Sequence, residues 1–102
     1  MEKPILKLSA ECKCWPIWVQ YRAGDIFENI DPETLPLSST LKQALTRWSD
    51  VFDEQYSLDD PYDALAGKPL DWASFKKEGM RIYQMLCDEV GDRYTVNYPG
   101  RK

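Results

Sequence analysis

The chain has 102 residues, a formal net charge of −4 and no histidine. That length is one domain's worth, enough to bury somewhat over ~60% of its unfolded surface in a single modest core, and its 43% hydrophobic content suits a folded protein. The acidic balance argues against nucleic acid as a partner, because DNA and RNA binding needs a basic footprint.

Residues 5 to 14 alternate. Leu6, Leu8, Ala10, Cys12 and Cys14 point one way, and Lys7, Ser9, Glu11 and Lys13 the other. This predicts a strand with one buried and one wet face. Pro16 interrupts the ladder and Ile17 to Tyr21 resumes a β-prone run. The apolar parity shifts from even to odd positions across the proline. We read this as a bent or bulged continuation of one strand, in preference to two strands joined tightly, since one inserted residue produces such a shift.

Ala23-Gly24-Asp25 is a turn. Residues 25 to 37 hold two prolines, four acids (Asp25, Glu28, Asp31 and Glu33) and no base. They read as an ordered loop anchored by Ile26, Phe27, Ile30, Leu35 and Leu37, with a single helical turn at Asp31-Pro32-Glu33. Ser38 or Ser39 caps a first helix over residues 40 to 55. Its apolar stripe is Leu41, Ala44, Leu45, Trp48, Val51 and Phe52. Pro61, Gly67 and Pro69 make residues 57 to 70 a second connection. Asp71 is an N-cap for a second helix with the inner stripe Phe75, Gly79, Ile82, Tyr83, Leu86 and Val90, and Gly91 sits at its C′ position. Gly79 inside a helix costs about 1 kcal/mol against Ala, which close packing by Trp48 would offset. Residues 93 to 98 alternate again, with Tyr94, Val96 and Tyr98 on one face, and Pro99-Gly100 ends this closing strand.

The expected fold is therefore α+β. It is a single domain over residues 1–102, a two-layer sandwich of a two- to three-stranded sheet and two packed helices. With so few strands both sheet edges stay open, which leaves a homodimer possible.

Chemistry is hard to assemble from these residues. Without histidine no serine or cysteine has its usual base. The five glycines form no phosphate loop. Cys12, Cys14 and Cys87 are too few for a zinc site or a disulfide framework, so they read as buried reduced thiols. No cofactor is expected. No signal peptide or membrane span is visible, and the expected compartment is the cytoplasm.

What stands out is residues 50 to 63. They carry Asp50, Asp53, Glu54, Asp59, Asp60 and Asp63 with no Lys or Arg, interleaved with Phe52, Tyr56 and Tyr62. Paired carboxylates here could hold a metal or do acid–base work, but the spacing of a calcium loop is missing. A solvated acidic face is the simpler reading, and the tyrosines suggest that it meets a partner. The candidate binding residues are Asp53, Glu54, Tyr56, Asp59, Asp60, Tyr62 and Asp63. The rival acidic face is Asp25, Glu28, Asp31 and Glu33. A partner with a basic surface is implied, not a membrane. One of the four tryptophans could be an exposed anchor, while Trp48 belongs to the core.

The segment Cys12-Lys13-Cys14-Trp15-Pro16-Ile17-Trp18-Val19 resembles a pattern in small bacterial immunity proteins of contact-dependent inhibition and related polymorphic toxin systems. The acidic stretch Asn29 to Leu37 and the closing Tyr94-Thr95-Val96 fit the same pattern. The resemblance implies a non-enzymatic protein that binds and neutralises a cognate toxin, often a nuclease. It supplies no binding residues. The alternatives are an acidic adaptor for another basic protein and a small carboxylate metalloenzyme.

Overall fold

A computed structural model describes residues 3–54 and 71–101. Among the described residues four strands form one mixed sheet in the order β3-β2-β1-β4. They are β1 (Ile5–Leu8), β2 (Ile17–Gln20), β3 (Glu28–Ile30) and β4 (Thr95–Asn97). Helices α1 (Ser39–Asp53) and α2 (Trp72–Val90) lie between β3 and β4 in sequence. The α+β class is as expected. The sheet has one strand more than expected.

The long first strand is a correction. β1 stops at Leu8, and β2 returns antiparallel to it, with Leu6 opposite Val19 and Leu8 opposite Ile17. The link is a hairpin, closed by Ser9 N–H donating to the Pro16 carbonyl at 2.9 Å. The parity shift needs no bulge. Opposed residues of an antiparallel pair share a face, and here even positions oppose odd ones. Residues 11 to 14 form a turn in which Cys14 N–H donates to the Glu11 carbonyl and Lys13 takes a left-handed φ of 57°.

β3 was hidden because Glu28-Asn29-Ile30 is short and two of its residues are poor strand formers. It pairs antiparallel to β2, with Trp18 opposite Asn29. The next residues form the expected single turn, a 3-10 segment Pro32–Thr34 whose Glu33 N–H is capped by Asp31. β4 joins the other edge parallel to β1, with Leu6 opposite Val96.

Leu6, Leu8, Ile17 and Val19 are buried and meet Leu41, Leu45 and Trp48 of α1 and Phe75, Ile82, Leu86 and Val90 of α2 in one core. Both helix caps are as expected. Ser38 Oγ accepts from Leu41 N–H, and the Asp71 side chain accepts from Ser74 N–H. Two details differ. Val51 is exposed, while the buried position is Ser49, whose hydroxyl donates to the Cys14 carbonyl at 3.3 Å. Gly91 closes α2 with a right-handed φ of −63°. Its value lies in lacking a Cβ, which would collide with the Cys87 carbonyl.

Candidate functional site

The Glu11–Pro16 turn projects beside the last turns of α1, and side chains from two other elements fasten it. Asn29 of β3 accepts from Trp15 N–H at 3.0 Å and donates back to the Trp15 carbonyl at 2.7 Å. A second donation from Asn29 reaches the Ile17 carbonyl at 3.1 Å. From α1, Asp53 accepts the Lys13 N–H at 3.1 Å, and Ser49 holds the Cys14 carbonyl. Between turn and helix runs a groove of about 370 Å³, with Lys13, Trp15, Asn29, Thr46, Asp50 and Asp53 among its lining residues. Thr46 and Asp50 also line the adjoining surface along α1, beside Lys42 and Arg47.

Of the predicted binding residues, Asp53 is half-buried against the turn and Glu54 is exposed. Tyr56, Asp59, Asp60, Tyr62 and Asp63 lie outside the described residues. The rival acidic face is partly engaged locally. Asp31 caps the 3-10 turn, and Glu33 pairs with Lys42 at 3.4 Å. Asp25 and Glu28 are exposed.

Sequence reasoning could not say which tryptophan faces solvent. Trp48 is 3% exposed, whereas Trp15 is 50% and Trp72 61% exposed. Helical periodicity marks Trp48 as core, but Trp15 sits in a turn, where no period applies. The wet face of α2 is as expected, with Lys76, Lys77 and Arg81 exposed.

The three cysteines are half-buried, less enclosed than expected. Desolvation pushes the Cys14 thiol above its ordinary value, and Glu11, Cys12 and Asp53 push it the same way. Among the described residues no three His, Cys, Asp or Glu side chains gather in a metal-binding group, and no helix is long and apolar enough to cross a membrane.

The fold and this groove define a small α+β protein that offers a fastened aromatic turn beside the acidic end of a helix. Residues 4–101 match the family described as Serratia CdiI immunity protein-like, and the chain belongs to that family. It is an immunity protein of a contact-dependent inhibition system, and its role is to neutralise a cognate toxin. No curated protein matches the chain.

Proposed function

We propose that the chain acts in the cytoplasm, without catalysis of its own, by laying an acidic surface against a basic surface of its toxin. The surface centres on the end of α1 and the residues that follow it: Asp53, Glu54, Tyr56, Asp59, Asp60, Tyr62 and Asp63. The toxin class it fits best is one with a basic groove, such as a nuclease.

The observation that carries this reading is the charge at the C-terminal end of α1. The last turn has no basic residue, yet Asp50, Asp53 and Glu54 stand there. A helix C-terminus already bears partial negative charge and favours cations. Carboxylates at that end add to the helix field and do not help the helix. Such a field serves attraction of a positive partner and speeds encounter.

The test is the association rate with purified cognate toxin as salt rises. The Debye length falls from about 10 Å at 0.1 M to about 3 Å at 1 M, so the on-rate should drop steeply. Reversing Asp59 and Asp60 to Lys should lower it further, with the fold unchanged by circular dichroism. Binding lost only when Asp25, Glu28, Asp31 and Glu33 are reversed would place the interface on the rival face. A rate indifferent to salt and to both sets of reversals would end the acidic-surface reading.

A further inference from the structure

We propose that Trp15 is the apolar anchor of the toxin interface, presented by a turn that is ordered before the partner arrives. This deepens the toxin-binding reading above and rests on it. An exposed turn position ordinarily favours small polar residues. Here an indole stands half in water, so burial in this chain does not account for it.

Its backbone, by contrast, is tightly held. Both polar groups of the Trp15 backbone are paired with the one amide of Asn29. The two preceding residues are tied to α1 through Asp53 and Ser49. Lys13 takes a left-handed backbone that non-glycine residues seldom adopt. A backbone already fastened has little freedom left to lose on binding, which is how preorganisation gains affinity. Tryptophan is also among the residues most enriched at binding hot spots.

Trp72 is more exposed but differently placed. Its ring meets Phe52 at 6.4 Å and Phe75 at 5.9 Å, edge-on in both cases. It belongs to the aromatic cluster that continues the core.

The surroundings of Trp15 indicate the chemistry of the occupant. Asp50 and Asp53 line the same groove as the indole. A toxin surface with an apolar notch bordered by Arg or Lys satisfies both features. An arginine there can stack on the indole face while its charge meets the carboxylates.

The experiment uses the full chain and its purified cognate toxin, with binding measured by calorimetry. Trp15→Ala should raise Kd by about 30-fold or more, with the unfolding midpoint unchanged, whereas Trp72→Ala should leave Kd within a few-fold. Because a variant can perturb folding, a second reading keeps the wild-type sequence. The chain is labelled with 5-fluorotryptophan, and the Trp15 fluorine resonance is assigned by its loss in Trp15→Phe. That resonance should shift when toxin is added. Wild-type binding that Trp15→Ala leaves intact, with an unmoved Trp15 resonance, overturns the anchor and spares the toxin-binding reading. Failure of the wild-type chain to bind the toxin overturns both.

Discussion

The phenol of Tyr98 lies directly over the bare Cα of Gly79. A methyl group built on Gly79 would collide with the Tyr98 hydroxyl, fall 2.7 Å from Tyr98 Cζ, and come within 3.0 Å of Cζ2 of Trp48. The glycine in mid-helix is therefore a packing device. It lets the segment that follows β4, at Tyr98, and α1, through Trp48, close on α2 together.

Gly79→Ala sets two effects against each other. Helix propensity gains about 1 kcal/mol, but overpacking a filled core costs about 1–3 kcal/mol. Both obstructing side chains are buried rings, so we expect net destabilisation. Tyr98→Phe in the same chain should recover part of it by removing the hydroxyl. A urea midpoint raised by Gly79→Ala alone would show that the rings yield freely.

Trp48 is the side chain around which the helices meet. It stacks on Phe75 at 4.4 Å and 9° and donates its indole N–H to the Phe75 carbonyl at 2.9 Å. Trp48→Ala should cost about 3–5 kcal/mol. Trp48→Phe keeps a ring against Phe75 but removes the indole hydrogen bond to that carbonyl, and should cost less, about 1–3 kcal/mol. Equal losses in chemical denaturation would contradict the role given to the hydrogen bond.

Ser38 joins the two helices as well as capping one. Its backbone N–H and its hydroxyl both donate to Glu89 of α2 at 2.7 Å, while its Oγ accepts from Leu41 N–H at 3.1 Å. Glu89→Ala should lower stability by about 1 kcal/mol, and Glu89→Gln by less, since the amide oxygen still accepts one bond. An unchanged melting temperature for Glu89→Ala would show that solvent replaces the carboxylate without loss.

Acid should act on the start of α2 through Asp71. The Ser74 N–H holds this carboxyl below its ordinary value of 3.8, helped by the Ser74 hydroxyl. With the folded value depressed, the unfolded chain takes up the proton first as pH falls. The contribution of the cap is whole above the ordinary value and is lost as pH falls through the folded one. Asp71→Asn keeps an acceptor without the titration. Its stability curve between about pH 5 and pH 2 should therefore be flatter than wild type. Parallel curves would assign the acid response to other carboxylates.

The Cys14 thiol offers a chemical probe of the groove. Burial raises it first, and Glu11 and Asp53 are among the groups that add to the effect. Only the thiolate reacts, so alkylation of Cys14 near neutral pH should be slower in the folded chain than in the unfolded one. Asp53→Asn should speed it, which peptide mass spectrometry after timed iodoacetamide treatment would reveal. An unaltered rate would mean that access, not charge, governs the thiol.

Much of this protein is legible residue by residue. Period-2 and period-3.6 patterns place Leu6, Leu8, Ile17 and Val19 on one sheet face and Leu41, Trp48, Ile82 and Val90 on the helix seams. The Ser38-Ser39 pair and Asp71 announce the caps, because capping is decided within four residues of chain, and the structure selects Ser38 from the pair. What the sequence could not determine is what depends on contacts between distant segments. Whether Leu8 continues into a bulge or turns into a hairpin is decided by pairing with β2. Whether Glu28-Asn29-Ile30 is loop or strand is decided by the β2 edge that it meets. Trp15 and Trp18 flank the same proline, yet Trp15 stands in solvent while Trp18 lies half-buried on the sheet. Residue type alone does not tell the two apart. Asn29, fourteen residues away, and Asp53, on a different helix, hold the turn that separates them, and only the tertiary structure brings those side chains to it.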